Sequence, residues 1–147
     1  MESSAEIPVV EGLFIWSGSS ASLIGSRCDG CGVHYFPKSL HCRNPFCNKP
    51  QLKEVLIKGP GQLRSFTRQH FRPPALFRMD NWEPYTIGQV EFPEGVRVMG
   101  MLTGFDPAEL KIGEKVQLTV EELYCNDAGQ SVMTYKFCPE HIGEKAR

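Results

Sequence analysis

Two patterns in the sequence predict a mainly β protein, with a small cysteine-held ribbon near the N-terminus and a five-stranded barrel after it. The first is the stretch CDGCGVHYFPKSLHCRNPFCN, residues 28–48, which holds four of the chain's six cysteines. The second is a series of short alternating apolar and polar runs, punctuated by Gly and Pro, from residue 52 onward. A length of 147 residues with 41% hydrophobic content is enough for one sizeable core and one small satellite.

Composition narrows the function classes. A formal net charge of −1 provides no global field for a polyanion, so any attraction for phosphate must come from a local cluster of cations. The N-terminal MESSAEIPVVEGLF has acids and a proline where a secretory signal needs a basic start, and no 18 apolar residues run together. The expectation is a soluble, cytoplasmic protein with no membrane partner. Thiols stay reduced in that compartment, so cysteines at short spacing hold a metal more often than each other.

Within the cluster, Cys28 and Cys31 form a Cys-x2-Cys turn followed by Gly32, and Cys42 and Cys47 form a Cys-x4-Cys turn. A tight turn aims both sulfurs at one point and lets backbone N–H groups donate to the thiolates, with glycine relieving the left-handed position that follows. Two such turns facing each other make a tetrahedral four-thiolate site for one structural zinc ion. Such an ion contributes about 10–16 kcal/mol of apparent binding free energy, against about 2–4 kcal/mol for a disulfide. A segment this short has no core of its own, so the metal is what folds it. The longer second turn leaves His34 and His41 as alternative donors. Buried free thiols, an isolated disulfide and a rubredoxin-type iron site are the competing readings, and the unequal turns argue against the last. Cys125 and Cys138 lie in strand-like contexts, where a cysteine is usually a small, unreactive, buried hydrophobe.

The elements follow in order. Residues 1–27 read as an arm or short helix and a leading strand, with LIGSR running into the first cysteine turn; residues 28–52 form the ribbon and 53–147 the barrel. LKEVLIKGPGQLRSFTRQH reads as one long strand bent or bulged at Gly59, Pro60 and Gly61. PYTIGQVEF and EGVRVMGML are the next two strands, turning at Pro93, Glu94 and Gly95. DPAELKIGEK gives one helical turn and a glycine turn. Val116, Leu118 and Val120 alternate with polar residues in the fourth strand, and SVMTYKF closes the set with Met133, Tyr135 and Phe137 on one face. Five strands, the first bent by glycine and a short helical insert late in the order, suit a closed Greek-key barrel of the OB type; an open sandwich is the alternative.

The stretch RSFTRQHFRPPALFRMDNWEPY, residues 64–85, is the second chemically loaded segment. Arg64, Arg68, Arg72, Arg78 and His70 occur with no acid before Asp80, interleaved with Phe66, Phe71, Phe77 and Trp82. Pro73 and Pro74 stop the ladder, so a long loop is expected, and long loops in compact domains are usually functional or disordered. Arginines and aromatics favour binding hot spots, so Arg64, Arg68, Phe71, Arg72, Phe77, Arg78 and Trp82 are the expected contacts to a partner subunit or to coenzyme A phosphates.

A strand entering RCDGCG, the step YFPKS, the second cysteine pair, KGPGQLRSFT, EPYTIGQVEFPEGVRVMGML, DPAELKIGEKV and a closing YKFCP together resemble the zinc-ribbon plus OB-fold proteins associated with acyl-CoA enzymes, over residues 12–139. That group includes the small zinc-finger subunit of benzoylsuccinyl-CoA thiolase in anaerobic aromatic degradation and partners of steroid side-chain aldolases. The resemblance implies a rubredoxin-like zinc ribbon ahead of an OB-fold domain, and a thiolase-like catalytic partner in a hetero-oligomer. The Cys-x4-Cys spacing is where the chain departs from the group. A thiolase needs an activated cysteine with a histidine and a second cysteine nearby. No such set stands outside the cluster, with His70 at a strand end and His141 in a tail, so no catalytic residue is expected in this chain. The competing function classes are a stand-alone acyl-CoA carrier or thioesterase and a single-stranded nucleic-acid-binding module, the latter because ribbons and OB barrels both bind strands. The acidic balance elsewhere argues against the latter.

Overall fold

The computed structural model describes residues 5–18, 20–79 and 82–140. The chain opens with β1 (Glu6–Pro8), β2 (Phe14–Ser17), β3 (Ser20–Cys28) and β4 (His34–Tyr35), followed by β5 (Leu52–Ile57). It continues with β6 (Gly61–Gln69), β7 (Tyr85–Glu91), β8 (Arg97–Leu102), β9 (Lys115–Cys125) and β10 (Ser131–Pro139). Single 3-10 turns at Ala75–Phe77 and Pro107–Glu109 are the helical elements among the described residues. The N-terminal arm is therefore extended where it is described: β1 adds in parallel to β10, Glu6 opposite Ser131, and β2 forms a hairpin with β3.

Two sheets result. In the ribbon sheet, β3 is the spine. Leu23 pairs with both Phe14 of β2 and Ile57 of β5, and Ser26 with both Tyr35 of β4 and Glu54 of β5. So β2 and β4 follow one another along one edge of β3, and β5 covers the other. In the barrel, hydrogen-bonded neighbours run β6, β7, β8, β10, β9 and back to β6. Every pairing is antiparallel except β8 with β10, where Lys136 lies opposite Met101. Closure is short, with Gly61 opposite Val116 and Gln62 opposite Lys115, extended by the Leu63 N–H donating to the Glu114 carbonyl at 2.9 Å. This is the closed five-stranded barrel that the order of strands predicts, rather than an open sandwich.

The run LKEVLIKGPGQLRSFTRQH divides between the sheets: β5 belongs to the ribbon and β6 to the barrel, instead of forming one bent strand. Gly59, at φ +80°, makes the corner, a conformation that residues with a Cβ rarely adopt. One core serves both sheets, because Phe14, Leu23 and Ile57 from the ribbon pack with Leu63, Val90, Val116 and Phe137 from the barrel. Inside it, Phe92 and Phe137 meet at 6.1 Å between centroids. A Cβ on Gly100 would come within 2.7 Å of Phe137 Cε2 and 2.9 Å of Tyr135 Cε2, so glycine is what lets those two rings lie across β8. The predicted helical turn and glycine turn are both present. Asp106 caps Pro107–Glu109 by accepting from the Ala108 N–H at 3.0 Å, and Gly113 turns at φ +93°. Of the two distant cysteines, Cys138 is buried as expected but Cys125 is exposed. It ends β9, opposite Ser131, where the hairpin leaves the core.

Candidate functional site

The sulfur cluster is assembled at the far end of the ribbon sheet. β3 delivers Cys28 at its last position, and the chain turns at once: the Gly32 N–H donates to the Cys28 carbonyl at 2.6 Å, with Gly32 at φ +83°. The Asp29 N–H donates to the Gln51 carbonyl at 2.8 Å, tying the first turn to the start of β5. The second turn absorbs its two extra residues through Asn44. Its side-chain oxygen accepts from the Phe46 N–H at 3.0 Å and its carbonyl from the Cys47 N–H at 3.1 Å. Asn44 to Cys47 thus forms the tight turn that a shorter spacing would have made directly. Gly30 lies under the second turn, where a Cβ would collide with the Lys49 carbonyl oxygen and stand 3.1 Å from Cys47 Sγ.

These turns bring Cys28, Cys31, Cys42 and Cys47 together, every sulfur within 4.8 Å of every other. Cys28 and Cys47 stand 3.7 Å apart, as do Cys31 and Cys42. A disulfide requires about 2.05 Å. Four thiolates at about 2.3 Å from one zinc ion stand about 3.8 Å from each other in a tetrahedron, so the donor set fits that ion in both chemistry and spacing. Neither His34 nor His41 joins the group.

Electrostatics around the sulfurs favour thiolates on the first turn. The Cys28 thiol is lowered from its ordinary 9.0 to about 6, first by the Gln51 N–H, 3.5 Å from its sulfur, with burial opposing. Cys31 is lowered by the Val33 N–H and then the Asn44 side chain. Cys47 is pushed up to about 12, by burial and then by the neighbouring Cys28 sulfur. Four thiolates side by side need a cation among them, and a bound dication drives off the remaining protons.

The residues of the arginine-rich stretch do not converge on one point. Arg64 and Arg68 lie on β6, Arg64 ion-paired to Glu91 at 3.3 Å and Arg68 donating to Thr86 Oγ1 at 3.2 Å. Arg72 lies 6.0 Å from the Trp82 ring centroid, and Arg78 4.0 Å from that of Tyr124. Phe71 is 76% exposed. Phe77 lies with Pro74, Tyr85, Ile87, Met99 and Met101 along a groove of about 360 Å3, which has no charged side chain among the described residues of its lining. Tyr135 borders the same groove, its hydroxyl donating to the Met99 carbonyl at 2.7 Å and burial pushing its pKa up to about 12. Among the described residues the expected long loop is present over 70–79 and 82–84, interrupted by the turn at Ala75–Phe77. Asp80 and Asn81 within it, and His141 in the tail, lie outside the described residues.

Sequence reasoning missed two parts of these sites. Tyr35, whose hydroxyl lies 3.6 Å from Cys42 Sγ, carries no spacing signal as a cluster neighbour. The groove had a signal: in VRVMGML, Val98 and Leu102 alternate with Met99 and Met101, so both faces of β8 are apolar and the outer face is partly covered.

Two family models match the chain in succession. The one described as ChsH2, rubredoxin-like zinc ribbon domain, matches residues 19–52, and the one described as ChsH2, C-terminal OB-fold domain, matches residues 54–121. A DUF35 domain-containing scaffold protein of Methanocaldococcus jannaschii is 32% identical over 120 residues, covering 80% of this chain and 81% of that one. The benzoylsuccinyl-CoA thiolase subunit BbsA of Thauera aromatica is also 32% identical over 120 residues, covering 82% and 78%. Among solved structures, an Ltp2-ChsH2(DUF35) aldolase aligns with a TM-score of 0.59 at 30% identity, over 80% of this chain and 84% of that chain.

Proposed function

The chain belongs to the zinc-ribbon and OB-fold family of ChsH2 and the DUF35 proteins, and on that premise we propose that it is a non-catalytic, zinc-binding subunit of a thiolase-type acyl-CoA enzyme complex. Cys28, Cys31, Cys42 and Cys47 hold one structural zinc ion, which ties the four sulfurs into a rigid tip in a reducing, cytoplasmic setting. The partner chain supplies the nucleophile and the proton-transfer groups. This chain aids assembly and helps shape the acyl-CoA entrance, with the stretch from Arg64 to Trp82 meeting the partner or the coenzyme A phosphates.

The observation that carries the reading is that ribbon and barrel match, in order, a family with relatives named as a scaffold and as a thiolase subunit. The sulfur of Cys138 agrees with it. Cys138 is buried and its thiol raised by burial, so it stays protonated and unreactive at neutral pH. Cys125 is exposed at a hairpin end. The test is copurification from the native source with mass spectrometry of the eluate, followed by assay of the separated and recombined chains. The expected result is a thiolase-type protein in the eluate and acyl-CoA turnover only when it is present. A chain that elutes alone and turns over an acyl-CoA by itself contradicts the proposal.

A further inference from the structure

Tyr35 reaches the sulfur cluster from outside the set of four. It lies on β4 with 8% of its surface exposed, its hydroxyl 3.6 Å from Cys42 Sγ and 2.7 Å from the backbone nitrogen of Arg43. The Arg43 N–H donates to this hydroxyl, so the hydroxyl's single proton is free to point at sulfur, and a metal-bound thiolate can only accept it. The Arg43 guanidinium lies 4.5 Å from the centroid of the same ring. One residue thus grips Tyr35 at both ends, by its backbone at the oxygen and by its side chain at the ring face.

The position matters because Cys42 opens the longer turn. In a Cys-x2-Cys turn, backbone N–H groups close behind the first cysteine can donate to its sulfur. Here the tight turn begins only at Asn44. We propose that Tyr35 is a positioning residue of the metal centre, its hydroxyl donating to the Cys42 thiolate in place of a turn N–H, with Arg43 as the clamp. The proposal rests on reading the four cysteines as a zinc site. A hydrogen bond to one of four thiolates around a dication draws off excess negative charge, relieves repulsion among the sulfurs and fixes the side-chain torsion of the ligand.

The experiment uses the full chain as wild type, Tyr35→Phe and Arg43→Ala. Zinc affinity is read by competition with a chromophoric chelator, and cobalt(II) reconstitution reports the thiolate-to-metal charge-transfer band. Tyr35→Phe keeps the buried ring and removes only the hydroxyl. It is expected to weaken zinc about tenfold or more and to move the cobalt band to lower energy, with the far-ultraviolet dichroism unchanged. Arg43→Ala keeps the N–H and loses less. Affinity for Tyr35→Phe within about twofold of wild type, with an unmoved band, overturns the role of Tyr35 alone. Wild type that takes up neither metal overturns the zinc reading itself. Should Tyr35→Phe not fold, cadmium-113 in the wild type decides: scalar coupling between the metal and a protected Tyr35 hydroxyl proton is expected, and its absence overturns the proposal.

Discussion

In the barrel, Phe137, Leu63, Val90 and Val116 are fully removed from water. Between Asp29 and Pro50, at the tip of the ribbon, Tyr35 is the one buried residue, and Leu40 and Phe46 are each 86% exposed. The barrel is ordered by apolar area withdrawn from solvent, which is spread over many side chains and tolerant of losing any one. The tip has no such area, so its order is concentrated in four sulfurs and the turns that aim them. On the proposed zinc reading, losing one sulfur there costs the order of the whole tip, while losing one side chain in the barrel costs a fraction of the barrel's stability.

The largest effect expected from this contrast comes from removing the metal. Chelation under reducing conditions withdraws about 10–16 kcal/mol of apparent binding free energy. Hydrogen exchange should then show the amides from Cys28 to Gln51 unprotected while β7 to β10 remain protected. A tip that stays protected without metal would break the comparison. Next in size, Phe137→Ala should cost about 3–5 kcal/mol in denaturant unfolding, with zinc content per folded chain unchanged, because Phe137 belongs to the barrel and not the cage. Gly100→Ala should cost about 1–3 kcal/mol, since its Cβ would lie 2.7 Å from Phe137 Cε2, and thermal unfolding measures it. Smallest is Arg64→Ala. Its pair with Glu91, 3.3 Å apart and partly exposed on both sides, is worth at most about 1 kcal/mol. A larger loss of stability would mean that Arg64 is held by more than this ion pair.

The same contrast explains what was legible in the sequence. The cysteines could be read because four of them at turn spacing within residues 28–47 have few uses other than holding a metal. The strands of the barrel could be read because Val116, Leu118 and Val120 alternate with polar residues and Gly95 and Gly113 mark turns. Long-range pairing was not legible. Nothing in LKEVLI says that it pairs with the strand before the cysteines and not with the barrel, so one bent strand was expected where the structure has two in separate sheets. Nor does local sequence reveal that Glu91, distant in sequence, pairs with Arg64 while also lying 3.9 Å from Arg97, which makes the arginine run look freer to bind phosphate than the structure leaves it. Cys125 was misjudged for a related reason: strand character says nothing of which end of a hairpin projects into solvent.

The central claim is that one ion gripped by Cys28, Cys31, Cys42 and Cys47 makes a coreless tip into a rigid platform beside the barrel. X-ray absorption at the zinc edge, with metal quantification on the same purified sample, tests it most directly. The account predicts one zinc per chain with four sulfur neighbours at about 2.3 Å. A metal-free protein with an ordered tip, or a first shell containing nitrogen or a sulfur–sulfur bond among these cysteines, would contradict it.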